Sequence, residues 1–163
     1  MKLTLNILPV LSRQDVFDLV ATHLLKQRAR SLADYDGILA CVYRAPDGKR
    51  CAVGAVIPDE AYDESLENRS VRNLVERLPR ARGPQGILYL FLSAHYSLLS
   101  ALQALHDNNE PEEWPAGLHR IAREFELRSP VERYIQRLPL TQRMARIDWI
   151  EPAAPVEPVE LAE

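Results

Sequence analysis

The segment from residue 40 to residue 57 constrains this chain more than any other. It reads Ala40-Cys41-Val42-Tyr43-Arg44, then Ala45-Pro46-Asp47-Gly48, then Lys49-Arg50-Cys51-Ala52-Val53-Gly54-Ala55-Val56-Ile57. Two β-prone runs flank a turn. Pro46 presets its first central angle, Asp47 suits the second, and Gly48 can take the left-handed position of a bulge. The pattern predicts a β-hairpin. With Ala45 opposite Lys49, Tyr43 faces Cys51 and Cys41 faces Val53. Cys41, Tyr43, Cys51, Val53, Ala55 and Ile57 then share one face. The two thiols become diagonal neighbours ~7 to 8 Å apart, at or beyond the reach of a disulfide. Both are expected to be reduced core residues.

The remaining elements follow from periodicity and punctuation. Leu3, Leu5 and Ile7 alternate with Lys2, Thr4 and Asn6, the period of a strand, and Pro9 ends it. Ser12 and Asp15 open a helix whose stripe of Val16, Leu19, Val20 and Leu24 runs to about Gln27. Arg28 to Gly37 reads as a connection. Pro58-Asp59-Glu60 closes the hairpin and starts a short helical turn through Tyr62. Ser70 caps a helix bearing Val71, Leu74, Val75 and Leu78 that Pro79 stops, and residues 80–86 read as a loop.

Ile87 to Leu105 carries no formal charge and is long enough to span a bilayer. Ser93, His95, Ser97, Ser100 and Gln103 interrupt it, so a buried helix, with or without a short strand before it, is expected instead. Phe91, His95, Leu98, Leu102 and Leu105 would line one side. Trp114, Leu118, Ile121, Ala122 and Phe125 form the cleanest amphipathic stripe. Ser129-Pro130-Val131-Glu132 has the form of a capping box before Val131, Tyr134, Ile135 and Leu138. Residues 143–150 suggest a last strand pairing with the first.

The expected fold class is α+β: a small antiparallel sheet, made of the N-terminal strand plus β-hairpin 40–57, packed against about five helices. A chain of 163 residues, 47% hydrophobic, can bury one core of that kind. Residues 1–150 are read as a single globular domain. Residues 151–163 hold three prolines, four acids and no base, the composition of a disordered or extended acidic tail.

Chemistry-bearing motifs are few. A net charge of -3 lacks the basic excess of a protein that holds nucleic acid by phosphate contacts alone. The N-terminus alternates where a signal peptide would be continuously apolar, so a cytoplasmic location is expected. Cys41-x9-Cys51 is not a zinc-knuckle spacing, and His23, His95, His106 and His119 make no short helical pair, so no metal or other cofactor is expected. Thiols on an apolar strand face have nothing to lower their pKa. His95 reads as a hydrogen-bonded core histidine, and His106 suits the negative end of a helix. Asp59, Glu60, Asp63 and Glu64 around Tyr62 fit a solvated turn as well as a site. No glycine-rich phosphate loop or serine nucleophile elbow is present. Between residues 128 and 150 five arginines face two acids, a local charge of +3, and the tail adds -4.

One resemblance adds to this. Cys41-x-Tyr43-Arg44, Gly48, Cys51-Ala52-x-Gly54-x-x-Ile57-Pro58-Asp59-x-x-Tyr62, then Leu102-Gln103-x-x-His106-Asp107, then Trp114-Pro115-x-x-Leu118 through Phe125-x-Leu127 resemble a family of small uncharacterised accessory proteins of bacterial, phage and prophage genomes. The matches span roughly residues 13 to 127, and the hairpin block is their specific part. The chain departs from the pattern in its N-terminal strand, in the apolar segment after Gly86 and beyond Leu127. The resemblance implies a mobile-element accessory protein and carries no activity.

The leading expectation is a non-catalytic interaction protein that binds, and inhibits or regulates, a bacterial macromolecule, with a bacterial protein as partner and no membrane. Two other classes stay open at this stage: a hydrolase or transferase using Cys41 or Cys51 with His106 and Asp107, and a nucleic-acid binder using the arginines of residues 128–150. The candidate interaction surface comprises Arg44, Asp59, Tyr62, His106, Asp107, Arg133, Arg137, Arg143 and Arg146. Nothing in the sequence fixes the oligomeric state.

Overall fold

Helix α1, Arg13–Gln27, starts where the sequence places it. The Ser12 amide donates to Asp15 Oδ2 at 2.9 Å, and the Asp15 amide donates to Ser12 Oγ at 3.2 Å, closing a reciprocal cap. Arg28, at φ 48°, ends the helix in the left-handed region. Val16, Phe17, Val20, Ala21, Leu24 and Leu25 are buried, so α1 is a central element of the core. The computed structural model describes residues 3–80, 83–139 and 141. The strand expected over 143–150, the tail, Arg143 and Arg146 lie outside them.

The architecture is α+β, with a two-stranded antiparallel sheet against a helical body. The sheet is not the expected one. β1, Leu32–Tyr35, pairs with β2, Ile38–Cys41, so Leu32 faces Cys41 and Tyr35 faces Ile38. The segment read as a connection therefore contains a strand. Asp36 and Gly37 join the two strands with φ values of 54° and 86°, the two positive angles of a type I′ turn.

The turn at residues 45–49 forms as expected. The Ala45 amide donates to Lys49 O at 2.9 Å, Gly48 to Ala45 O at 3.0 Å, and Cys51 to Tyr43 O at 3.2 Å. Ladder pairing there is limited to the Arg44–Arg50 bridge. Beyond Cys51 the chain turns into a 3-10 helix, Gly54–Val56, so Cys41 pairs with Leu32 and not with Val53.

The predicted N-terminal strand is also corrected. Leu5–Val10 is a 3-10 helix that buries Leu8 and packs on α3, Pro84–Ala94. Alternation alone does not make a strand, and among the described residues no strand pairs with this segment. Residues 59–61 form the expected short turn, and α2, Val71–Arg77, is capped by Ser70.

The apolar stretch is two helices. α3 and α4, Tyr96–Asn108, meet at His95 with an 84° bend. Among the described residues no single helix is long and apolar enough to cross a membrane. Helix α5, Trp114–Glu124, buries Trp114, Leu118, Ile121 and Ala122 as its stripe requires. In α6, Val131–Gln136, the Ser129 hydroxyl accepts from the Val131 amide at 3.3 Å, and the reciprocal box does not close. The core gathers Val20 and Leu24 of α1, Cys51 to Val53, Leu92 of α3, Leu98 and Leu102 of α4, and Leu118 of α5.

Candidate functional site

The residues that carry chemistry gather at the root of the hairpin. Cys41, His106 and Asp107, distant along the chain, bring their side-chain ligand atoms within 4.8 Å of one another; these are the residues that the hydrolase or transferase reading groups, with Cys41 and not Cys51 as the thiol. His106 is fully buried and stacks on Trp114 with ring centroids 5.3 Å apart. Its Nε2 accepts from the Ser31 amide at 3.2 Å. A backbone N–H can only donate, so Nε2 holds the lone pair, Nδ1 holds the hydrogen, and the ring is neutral. Nδ1–H then donates to Asp107 Oδ1 at 2.9 Å.

Gln103 Nε2 donates to the same oxygen at 2.8 Å, and Gln103 Oε1 accepts from the Val53 amide at 3.1 Å. The Cys41 thiol completes the set on Asp107. Burial pushes the Asp107 pKa up, but hydrogen bonds from His106, Gln103 and Cys41 outweigh it and hold it below the ordinary carboxylate value. This network ties α4 to both strands of the hairpin and to the loop after it.

Its chemistry opposes both obvious uses. A metal ion would need a lone pair on Nδ1, which carries hydrogen, or the lone pair of Nε2, which Ser31 occupies. A cysteine nucleophile would need that same lone pair as its base. Burial and then the Asp107 carboxylate push the Cys41 thiol up to about 11. Burial pushes Cys51 up to about 12. Both cysteines are unbonded, and neither is activated as a thiolate.

A second network accounts for the rest of the hairpin block. Glu67 Oε2 accepts from the Tyr43 amide at 2.8 Å, and Glu67 Oε1 accepts from the Arg44 amide at 3.0 Å and the Tyr62 hydroxyl at 2.8 Å. The Arg44 guanidinium lies 4.1 Å over the Tyr62 ring, pairs with Asp59 at 2.8 Å and donates to Ile57 O. Arg50 reaches the same Asp59 at 3.1 Å. A Cβ at Gly54 would stand 1.9 Å from Tyr43 O, so only glycine permits this approach.

Arg44, Asp59 and Tyr62 of the candidate surface thus form one cluster, and His106 and Asp107 form another. Arg133 stands apart, 3.6 Å from Asp18 of α1. Arg137 lines a cleft with Arg133 and Tyr134.

The sequence reading missed two features. One is the hairpin tip, where Ile38, Leu39 and Tyr35 are 71%, 65% and 43% exposed. The Asp36-Gly37 dipeptide between apolar runs was its signal. The other is a cavity of about 460 Å³ lined by Cys41 to Tyr43, residues 67–72 and one face of α4.

Compared with models of protein families, with curated proteins and with solved structures, the chain matches none.

Proposed function

We propose that this chain is a non-catalytic interaction protein, of the mobile-element accessory kind its hairpin motif resembles, which binds a bacterial protein by accepting an extended segment onto β2. The observation that carries the reading is the exposed hairpin tip. The Val42 amide donates to Ser31 O at 3.0 Å, which makes 31/42, 33/40 and 35/38 the hydrogen-bonded pairs of the ladder. The main-chain groups of Leu39 and Cys41 therefore face the edge of β2 that is open among the described residues.

No charged residue guards that edge, whereas strands without partners normally carry lysine, proline or a bulge. Residues 31–41 contain Asp34 and Asp36 and no base. An apolar strand with basic residues complements them in pairing and in charge. The internal use of Cys41, His106 and Asp107 supports binding over catalysis.

Capture from bacterial lysate on immobilised protein, followed by hydrogen exchange on the complex, tests this. The bound partner should slow exchange at the Leu39 and Cys41 amides. Ile38→Lys and Leu39→Lys should abolish capture while Cys41→Ser retains it. Capture that survives both lysine variants would overturn the reading.

A further inference from the structure

We infer that the cavity between α4 and residues 67–72 is a binding site for a small zwitterion, which seats its ammonium group on Asp107 and its carboxylate on Arg69. The site meets the edge of β2 at Cys41, and the inference does not depend on strand docking.

Two opposite charges stand unpaired among the described residues. Asp107 and Arg69 both line this cavity of about 460 Å³. Among the described residues every donor to Asp107 is neutral: the Nδ1–H of a neutral His106, the Gln103 amide and the Cys41 thiol. Among the described residues the Arg69 guanidinium has no carboxylate within ion-pair distance, Asp107 included, although its neighbour Arg72 pairs with Glu76 at 2.8 Å. The gap between them is too wide for a direct bond, and both walls are fixed. Asp107 is pinned by the hairpin-root network. The Arg69 carbonyl accepts from the Tyr43 hydroxyl at 2.5 Å, Glu67 holds the preceding turn to the Tyr43 and Arg44 amides, and Asn68 adopts φ 56°.

Charges held apart across a cavity are preorganised for a ligand that carries the matching pair. Each end gains a charge-assisted hydrogen bond, and only the Arg69 side chain need adjust, because its backbone is held by Tyr43. Tyr96 and Ala104 on the α4 wall supply apolar surface for the spacer between the charged ends, and Ser100 adds a hydroxyl.

The larger cleft along α1, about 780 Å³, shows the contrast. Its carboxylates are already engaged: Asp15 by Ser12, Asp18 by Gln14 and Arg133, Asp59 by Arg44 and Arg50. It offers no charge pair waiting for a ligand.

Cys41 lines the cavity and Cys51 is fully buried, so alkylation of Cys41 reports occupancy. The probes are glycine, β-alanine, 4-aminobutyrate and 6-aminohexanoate, which differ only in the separation of their charges. They are tested on the full chain by iodoacetamide labelling and by calorimetry. One spacer length should bind best and slow Cys41 alkylation. Butylamine and butyrate, each lacking one charge, should bind roughly tenfold or more weakly. Arg69→Gln and Asp107→Asn should each cost a similar factor. Asp107→Asn also touches the hairpin root, whereas Arg69→Gln removes a side chain with no ion-pair partner among the described residues, so the second variant decides if the first misfolds. Failure of every probe to slow alkylation would overturn the inference. So would binding indifferent to the second charge, or unchanged in Arg69→Gln. Loss of strand docking in the lysine variants of Ile38 and Leu39, with zwitterion binding intact, would show that the two sites are independent.

Discussion

At its root the hairpin is tied by polar groups to other parts of the chain. Ser31 binds His106, Cys41 and Gln103 bind Asp107, and Val53 binds Gln103. At its tip, a few residues away, Tyr35, Ile38 and Leu39 are apolar and exposed, with only their own ladder and the Asp34 side chain on the Gly37 amide for support. The usual distribution is inverted, with polar residues inside and apolar ones outside. A buried polar group must be satisfied or it costs stability. The root network is therefore what a hairpin with little apolar anchorage needs to stay in place. An exposed apolar strand has no such structural reason, and the proposed contact at the tip rests on that asymmetry.

The comparison breaks most severely at Gly54. Its missing Cβ leaves room for Tyr43 O, and the atom in the way is backbone, which cannot swing aside. Gly54→Ala should cost about 3 kcal/mol. A urea midpoint close to that of the parent chain would show that the approach is loose.

His106→Ala comes next. It leaves the buried Ser31 amide without an acceptor, removes the ring stacked on Trp114 and opens a void, for a loss of about 2 to 3 kcal/mol. Hydrogen exchange at Ser31 should accelerate more than exchange in α1. If His106 instead served a reaction, activity would vanish with stability unchanged.

These two sites also show how much was legible. The turn at residues 45–49 was, because proline, aspartate and glycine encode it within five residues. The caps at Ser12 and Ser70 and the stripe of α5 were legible for the same local reason. The β1–β2 hairpin was equally local, but its Asp36-Gly37 signal lay inside a segment too short and too polar at its start to read as a strand. The break at His95 has no glycine or proline to announce it. The meeting of Cys41 with His106 and Asp107 depends on how α4 crosses the hairpin, which no spacing along the chain records. The N-terminal alternation misled because a strand is defined by its partner, and Leu5–Val10 has none among the described residues.

Acid should weaken the fold in two pH windows, the lower of which belongs to the root. Burial lowers the pKa of His23, His95 and His119 from the ordinary 6.5. A group whose folded pKa is depressed contributes stability that is fully present above its unfolded value and is lost as pH falls through the folded one. Melting temperature should thus decline as pH drops below about 6.5, and His23→Gln should flatten part of that decline. The bonds that lower the Asp107 pKa act in a second, lower window, present above the ordinary 3.8 and lost beneath it. A single transition near pH 4 with no slope above it would mean that the histidines are not desolvated as described.

The smallest effect on stability belongs to the tip. Ile38 and Leu39 bury little, so Ile38→Lys and Leu39→Lys remove almost no apolar contact from the core. Each should change folding stability by less than about 0.5 kcal/mol. A lysine on an open edge nevertheless opposes the pairing of another strand, through its charge and the hydration it retains. The same substitutions should then abolish partner capture. Denaturation and capture measured on one preparation give three distinguishable results. Unchanged stability with lost capture fits a contact strand. A stability loss above about 1 kcal/mol, the scale of lost core packing, would mean that the tip belongs to the fold and that the contrast with the root is false. Unchanged stability with unchanged capture would place the docking surface elsewhere and leave the exposed tip without a role.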